Sequence, residues 1–362
     1  MIYRGKLFET QYFGPTHPIS WGARTFMVES ISRDTTLAQV QRSLKSLQLQ
    51  WKQAKSTLVT SGEIDVQRLV SLLPDRTTTD RLVQVYWRTF ETIHRILYKP
   101  DFWADYYALW ENPLAASAEF LVTVLLVVAT VSCICSEEHM SYIGDSSSLR
   151  ERAIALVEVC EFWLERQSQK NISLAHWQCR CLLLLAKISN TIKKKQTWNI
   201  AGNLLRQAMS AGFHRDPSLL GTPMRQIDQE MRRRLWATIV ELELQISIER
   251  GMPSMLTSVT WDTANALDVL DEELDQSGKG RHSPHSTVSS LHSSRASLSL
   301  RLSLTAAIND THSPLTHDDV LNLILENRLP RNMSPAPETL SVKRFLTFSF
   351  DSFCCCYIHP SP

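Results

Sequence analysis

Eight cysteines are the residues of this 362-residue chain that could most readily hold a metal ion. They stand at Cys133, Cys135, Cys160, Cys179, Cys181, Cys354, Cys355 and Cys356. Structural zinc sites draw thiolates from short loops, often as CxxC pairs, and no CxxC pair occurs here. Four of the cysteines fall inside apolar runs of helical character. We therefore interpret them as buried free thiols in a reducing, intracellular compartment, and expect no metal site.

A cluster of carboxylates near residue 270 could bind magnesium. Its members are Asp268, Asp271, Glu272, Glu273 and Asp275. An all-α enzyme of the terpene-cyclase type holds magnesium with such carboxylates on facing helices. No second acidic set of matching type follows on a helix, because Asp318 and Asp319 stand alone. This enzyme class is kept as an alternative function.

Nucleophilic catalysis finds no support in the motifs. The sequence contains no GxSxG, HExxH, Walker or GxGxxG motif. His282 and His285 form a pair in a serine-rich stretch, where a preorganised site cannot be held. We therefore expect no catalytic residue and no enzyme.

Three consecutive arginines beside an aromatic residue could contact nucleic acid. The run at 232–234 stands just before Trp236, and arginine next to an aromatic ring can hold a phosphate or stack on a base. Glu230, Glu241 and Glu243 lie on the same predicted helix, which favours ion pairs within the chain. The chain also has no basic excess, with 38 Lys plus Arg against 37 Asp plus Glu.

Helices are the elements that must position these groups. Hydrophobic residues make up 43% of the chain, enough for a folded core, and they recur at helical spacing. One clear stripe has steps of three and four: Leu82, Tyr86, Phe90, Ile93 and Leu97. We expect Thr79 or Asp80 to cap the start of this helix and Pro100 to end it.

Further helices follow along the chain. They are predicted at 37–58, 120–135, 149–166, 173–192, 198–211 and 315–329. The run at 120–135 is short for a bilayer span, which needs roughly 20 apolar residues, so a buried helix is favoured. The lysines at 193–195 are typical of a solvated turn. Because the first 260 residues show no convincing strand alternation, the predicted class is all-α, a multi-helical array of antiparallel helices around one large core.

The arginine run falls on the best-defined predicted helix. One face of this helix carries Met231, Leu235, Ile239, Leu242 and Ile246. Glu230 and Arg234 are expected on its polar side as a pair four residues apart. Gly251 and Pro253 are expected to end it.

Composition divides the chain into four parts. Residues 1–73 form an N-terminal helical and irregular segment, and residues 74–275 form the main helical domain. Residues 276–314 are rich in serine, which predicts a flexible linker open to phosphorylation. Residues 315–362 are predicted to hold one short helix and an irregular tail, an end that could be truncated.

Three stretches carry a family resemblance. They are residues 81–102, RLVQVYWRTFETIHRILYKPDF, residues 198–218, WNIAGNLLRQAMSAGFHRDPS, and residues 230–253, EMRRRLWATIVELELQISIERGMP. In order and spacing they resemble the fungal-specific transcription factor domain, the middle region of zinc-cluster (Zn2Cys6) transcription factors. Fainter similarity extends the resemblance over most of residues 10–330.

The resemblance implies a regulatory domain that controls transcription of a metabolic or secondary-metabolite pathway in the nucleus. It implies partners in the transcription machinery or among co-regulators, a small-molecule effector and a homodimer, with no membrane association. The six-cysteine cluster of the family does not stand in this sequence. Zinc and DNA binding are therefore expected only through a zinc-cluster segment that is missing or separate. A helical interaction scaffold without DNA association is a further alternative.

The motif residues have a structural meaning before a functional one. In the AGFHRDPS segment, Gly212 permits a left-handed turn, His214 and Arg215 could bond the last helix carbonyls, and Asp216 before Pro217 could cap the next turn. We therefore expect structural roles for all the motif residues. They are Gly212, His214, Arg215, Asp216, Pro217, Arg233, Arg234, Trp236, Gly251 and Pro253.

Overall fold

The computed structural model describes residues 64–134, 141–143, 146–167, 172–220, 224–274 and 290–310, with short pieces at 2–4, 11–13, 39–40, 43 and 46. Ten α-helices stand in the described ranges from residue 64 onward. They enclose one apolar core that extends from Leu69 to Leu298. The expected all-α class is confirmed. The helix predicted at 315–329 lies outside the described residues, and of the helix predicted at 37–58 only residues 39, 40, 43 and 46 are described, all helical.

Four helices open the main body. They are α1 (Val66–Ser71), α2 (Arg76–Thr89), α3 (Glu91–His94) and α4 (Lys99–Glu111). The side chain of Asp75 caps α2 by accepting a bond from the Thr78 amide at 3.0 Å, so the expected cap at Thr79 or Asp80 is wrong.

The predicted helix through Leu97 is in fact two helices. Arg95 adopts a left-handed conformation with φ of 48°, which ends α3. Pro100 lies in the first turn of α4 instead of ending the helix before it. A proline is tolerated there because the first amides of a helix have no intrahelical acceptor.

Helix α5 (Ala118–Val131) is buried on every side over residues 121–131. Its neighbours include α2, α6 (Ser148–Glu165) and α7 (Leu174–Ser189), which explains why its sequence is apolar all round. Thr130 lies in this dry interior and donates its hydroxyl to the Leu126 carbonyl at 2.7 Å. Within the described residues, no helix has the length and apolar character needed to cross a membrane.

Two more helices carry the remaining motif segments. They are α8 (Thr197–Ser210) and α9 (Gln226–Arg250), and they pack against each other. The lysines at 193–195 lie in the exposed turn before α8, as predicted. The predicted apolar face of α9 is buried, and Gly251 ends this helix with φ of 62°.

Helix α10 (Ser290–Asn309) contradicts the linker interpretation for these residues. Leu291, Ser294, Leu298 and Thr305 are buried, at steps of three, four and seven, and the helix packs on α9. The many serines concealed this stripe, because serine composition suggests disorder while the few leucines keep helical spacing. The domain boundaries proposed from sequence stay a prediction.

Short elements complete the described structure. Strands β1 (Ile2–Arg4) and β2 (Gln11–Phe13) pair antiparallel, as do β3 (Tyr142–Ile143) and β4 (Ser146–Ser147). They are too short to show an alternating pattern, which explains why the sequence predicted no strand. Single 3-10 turns lie at Pro113–Ala115, Pro217–Leu219, Met255–Ser258 and Asp271–Glu273.

The cysteines within the described residues are free thiols. Cys160, Cys179 and Cys181 are buried and Cys133 is half-buried. Burial raises the pKa of Cys179 and of Cys181 to about 12, so neither is a ready thiolate. The buried-thiol interpretation is confirmed for Cys160, Cys179 and Cys181, whereas Cys133 is only half-buried. The other four cysteines lie outside the described ranges.

Candidate functional site: the ionic junction between the motif helices

The side chain of Arg234, on α9, is fully buried. Its Nε donates to Glu230 Oε1 at 3.0 Å, and its Nη1 donates to Asp271 Oδ1 at 2.5 Å. The pair with Glu230 was predicted, but its place on a polar face is wrong, since both residues are buried. We call Arg95, Glu230, Arg234 and Asp271 the ionic junction.

Asp271 joins this junction to the opening helices. It accepts from Arg95 Nη2 at 3.0 Å and from the Lys99 amide at 2.9 Å. Burial opposes ionisation of its carboxyl, but the charges of Arg234 and Arg95 and these hydrogen bonds outweigh it, and the pKa of Asp271 is lowered. Glu272 pairs with Lys99 at the surface. Two members of the predicted magnesium cluster therefore form structural ion pairs.

Arg95 also binds the chain segment that leads to Asp271. Its Nη1 donates to the Leu267 carbonyl at 3.3 Å and its Nη2 to the Val269 carbonyl at 2.5 Å. The Leu267 amide in turn donates to Glu230 Oε1 at 2.9 Å. The segment after α9 is thereby held against both α3 and α9.

A buried acid lies beside the junction. Glu91 accepts from the Tyr86 hydroxyl and from the Leu97 amide, both at 2.7 Å. Burial raises the pKa of Glu91 to about 8, although both hydrogen bonds lower it. His94 is buried as well, which lowers its pKa to about 4, and its carbonyl accepts from the Thr238 hydroxyl.

The HRDP turn forms a second set of contacts. Gly212 adopts a left-handed conformation with φ of 77°, as predicted. Asp216 caps the next turn, also as predicted, by accepting from the Ser218 amide at 3.0 Å. It binds Arg233 through both carboxylate oxygens, at 2.9 and 2.8 Å. The Arg233 guanidinium holds the pKa of the Asp216 carboxyl well below its usual range.

Asp216 and its neighbours also fix the segment after α9. Asp216 Oδ2 accepts from the Ala264 amide at 2.9 Å. The Thr263 hydroxyl donates to the Phe213 carbonyl at 2.7 Å. The segment that precedes α9 in the chain is thus hydrogen-bonded to the segment that follows it.

The capping role expected for His214 and Arg215 is wrong. Arg215 pairs with Asp262 at 2.7 Å, and the His214 carbonyl accepts from the Asp262 amide at 3.1 Å. Arg232 instead donates to the Ala211 carbonyl at 3.2 Å, because it reaches the end of α8 from the neighbouring helix.

Each residue of the arginine run therefore has its main contact within the chain. Arg233 and Arg234 form ion pairs, and Arg232 lies over the Phe213 ring at 4.1 Å. Trp236 is buried against Trp261, with ring centroids 6.0 Å apart. The interpretation of ion pairs within the chain is confirmed for Arg233 and Arg234, although Asp216 and Asp271 are the partners that sequence reasoning missed.

Comparison with known proteins decides the family. Residues 83–354 match the fungal specific transcription factor domain, more than half of the chain. The chain belongs to this family.

Relatives of the domain are transcription factors by name. The transcription factor opdR of Penicillium oxalicum is 28% identical over 340 residues, which cover 88% of this chain and 42% of opdR. Transcription factor asR3 of Sarocladium schorii is 34% identical over 205 residues, which cover 56% of this chain and 23% of asR3.

The name of a third relative includes a metabolite, fusarisetin A. The fusarisetin A cluster transcription factor of a Fusarium species is 27% identical, over 58% of this chain and 29% of that protein. The chain spans less than half the length of these relatives. No solved structure matches it.

At the C-terminal end of α9, Trp198 and Pro253 contact each other in this fungal transcription factor domain. Trp198 Nε1 lies 3.2 Å from both the Ser247 hydroxyl and the Pro253 carbonyl. Glu243, expected near the arginines, accepts instead from the Ser254 hydroxyl at 2.6 Å and the Met255 amide at 2.9 Å.

All three motif segments of the domain thus meet on α9. Asp216 and Asp271 lie outside α9, so spacing along that helix could not reveal them as partners. One signal was available: on a helical projection, Arg234 falls beside the apolar stripe of Met231 and Leu235. Among the described residues, no group of three His, Cys, Asp or Glu is arranged to hold a metal. The arrangement fixes how three helices and the exit segment pack.

Proposed function

We propose that this chain is the regulatory core of a fungal transcription factor that controls a secondary-metabolite pathway. The family match over residues 83–354 supports this proposal most directly. The contacts that the other two motif segments make with α9 agree with it, since the residues that resemble the family are those that hold the helices together. The pathway comes from relatives whose names include a metabolite cluster.

DNA recognition is assigned to another part of the protein. Arg233 and Arg234 are held in ion pairs within the chain, and Arg232 donates to the Ala211 carbonyl, so none of the three is arranged as a free basic patch. Sequence-specific contact and zinc would then come from a six-cysteine segment, as in the Zn(2)-C6 relatives. The nucleus is the compartment where such a protein acts, with co-regulators and a second copy as its proposed partners.

Regulation would operate through the packing of the helices. Buried ion pairs specify one arrangement, because any other arrangement leaves a charge in the interior without a partner. A small-molecule effector that binds one arrangement better than another would shift the population between them. Helix α9 is the place where such a shift would reach all three motif segments, through the ionic junction and through the Asp216–Arg233 pair.

The decisive experiment is carried out in the host fungus. A tagged copy of the gene is followed by microscopy and by chromatin immunoprecipitation, and transcripts are compared between the wild type and a deletion strain. We expect nuclear signal, occupancy at a cluster of biosynthetic promoters, and altered transcripts from that cluster. A cytoplasmic protein whose deletion leaves transcripts unchanged would overturn the proposal in favour of a scaffold.

A second measurement tests the chain alone. The purified 362-residue protein should bind duplex DNA weakly and without sequence preference, because its arginines are engaged internally. Fluorescence anisotropy with a promoter fragment and a scrambled fragment measures this. Tight binding to one fragment only would show that these residues read DNA themselves.

A further inference from the structure

An ion pair joins α10 to α9. Arg301 Nη1 and Nη2 donate to the two carboxylate oxygens of Glu241, each at 2.7 Å. The two side chains are only 14% and 13% exposed, so salt and water screen this pair less than a surface pair. On α10, Leu291 and Leu298 are buried and Leu302 is partly buried. Because this apolar contribution is small, the ion pair is an important part of the docking of α10.

Ser297 lies next to this ion pair. Arg301 Nε donates to Ser297 Oγ at 3.2 Å, one helical turn away, and Arg301 Nη2 also donates to the Ser294 carbonyl at 2.7 Å. The Ser297 hydroxyl donates to the same carbonyl at 3.2 Å. One guanidinium thus binds the Ser297 hydroxyl and the Glu241 carboxylate at the same time. A change of charge at Ser297 therefore acts directly on the contact between the two helices.

The position of Ser297 distinguishes it from other serines of α10. Ser299 and Ser303 are exposed and Ser294 is buried, whereas Ser297 is half-buried. A half-buried hydroxyl becomes accessible to an enzyme when its helix opens locally, and helices at the outside of a fold open most often. Ser297 thus combines access on local opening with a direct bond to the residue that docks the helix.

We propose that Ser297 is a phosphorylation site that controls the docking of α10 on α9. A protein kinase transfers the γ-phosphoryl group of ATP to this residue, and Ser297 Oγ forms the new bond to phosphorus. The bond from that phosphorus to the β–γ bridging oxygen breaks, ADP leaves, and the hydroxyl proton passes to the base of the kinase. The product carries about two negative charges at neutral pH beside Arg301.

Two anions then compete for one guanidinium. The phosphate pairs with Arg301 from the Nε side, one helical turn away, and its charge repels the Glu241 carboxylate on the Nη side. The ion pair between the helices weakens, and α10 opens more often. This inference goes beyond the proposed function, because the switch is a property of the two helices and is independent of which genes are controlled.

Hydrogen exchange of the full chain with phosphoserine incorporated at residue 297 tests the switch. Peptides from α10 should exchange about threefold faster or more than in the unmodified chain, as expected when an ion pair of this kind is weakened. Phosphoserine at residue 303 is the matched control. Ser303 is exposed on the same helix and lies two positions from Arg301, a spacing at which side chains do not face each other, so it should change exchange much less.

A second background assigns the effect to the ion pair. Glu241→Gln removes the competing charge and keeps the shape of the side chain, so phosphoserine at residue 297 should then accelerate exchange of α10 little. Peptides from α5 should be unchanged in every protein, which separates opening of α10 from global unfolding. The switch is overturned by unchanged exchange of α10 in the phosphorylated chain, or by an equal acceleration in the Glu241→Gln background.

Mass spectrometry of the protein isolated from the fungus tests the modification itself. We expect a phosphopeptide from growing or stationary cultures whose fragments locate the phosphate at Ser297. Phosphate found on other serines alone, or on none, would overturn the site. Promoter occupancy is measured separately, so a failure there bears on the proposed function and leaves the exchange and phosphopeptide results intact.

Discussion

At the scale of single residues, the main feature of this protein is its buried charged side chains. Glu230 and Arg234 are both buried, and one oxygen of Glu230 and one Nη of Arg234 have no hydrogen-bond partner in the described structure. Such a pair adds little net stability, because desolvation offsets most of the attraction. Its physical effect is on specificity, since removing Arg234 leaves the Glu230 carboxylate buried without the guanidinium that it binds.

Glu91 gives the molecule a measurable dependence on pH. Burial raises its pKa from 4.5 to about 8 in the folded state, so the folded protein holds a proton that the unfolded chain releases. Its contribution to stability is fully present below about pH 4.5 and is lost as the pH rises toward 8. In this window the ionisation of Glu91 should lower the free energy of unfolding of the wild type by at most about 1.4 kcal/mol per pH unit. Glu91→Gln should abolish this decline.

Urea unfolding at pH 5, 6.5 and 8 measures this effect. The free energy of unfolding should decline more steeply for the wild type than for Glu91→Gln, which keeps an acceptor for the Leu97 amide. Parallel pH profiles for the two proteins would contradict the assignment of a raised pKa to Glu91.

Asp216 should show the opposite dependence. Its folded pKa lies well below 3.8, so its stabilisation is present above the unfolded pKa and is lost as the pH falls through the folded pKa. Asp216→Asn replaces one of the two carboxylate oxygens that accept from Arg233 and removes the negative charge. It should lower the free energy of unfolding at pH 7 by about 2 to 3 kcal/mol. Denaturant curves check this, with Asp228→Asn as the control, since Asp228 accepts from two nitrogens of the exposed Arg225 and should lose much less. A gap between wild type and Asp216→Asn that persists undiminished at pH 2 would contradict the mechanism.

At the scale of the secondary-structure element, local signals set where the helices begin and end. Aspartate and serine side chains cap the starts of α1, α2, α5, α6 and α7. Helix α8 ends where the chain turns through Gly212, and α9 ends at Gly251. These local signals are independent of the core, so each can be changed without touching the ionic junction.

Gly212→Ala isolates the conformational demand of the HRDP turn. A Cβ at this position would meet no atom closer than 3.9 Å, so crowding does not oppose the substitution. The backbone φ of 77° does, and a left-handed alanine costs about 1 to 2 kcal/mol. Chemical denaturation should show this loss for Gly212→Ala and a smaller one for Gly212→Asn, because asparagine tolerates that conformation better. An alanine variant as stable as the wild type would show that the turn relaxes.

At the scale of the whole molecule, α5 is the helix around which the described helices pack. This helix is enclosed by α1, α2, α6 and α7, whereas α10 packs at the outside on α9. Stability is therefore expected to be uneven, highest in the enclosed helix and lowest in the peripheral one.

Hydrogen exchange followed by mass spectrometry tests this gradient. Peptides from α5 should exchange only through global unfolding, because its residues 121–131 are all buried. Peptides from α10 should exchange faster, and Arg301→Gln should speed them further by removing the bond to Glu241. Equal protection of α5 and α10 would mean that the described helices unfold as a single unit.

The sequence by itself determined the elements of this protein. Apolar spacing located the stripe of Met231 and its partners, and Gly212 and Gly251 marked two helix ends, because both signals are local. For α10, the serine-rich composition predicted a flexible linker, whereas the spacing of its leucines is that of a helix. The family was also readable, since its motifs are contiguous stretches of sequence.

Only the tertiary structure decided the partners of the charged residues. Asp271 meets Arg234 and Arg95, and Asp216 meets Arg233, although each pair is separated by many residues in the chain. Folding brings these groups together because a buried guanidinium must find an acceptor wherever the chain supplies one. Arg301 meets Glu241 on the neighbouring helix for the same reason of packing, with no spacing rule to announce it. Local physics therefore yields helices, and the choice among buried polar partners belongs to the assembled fold.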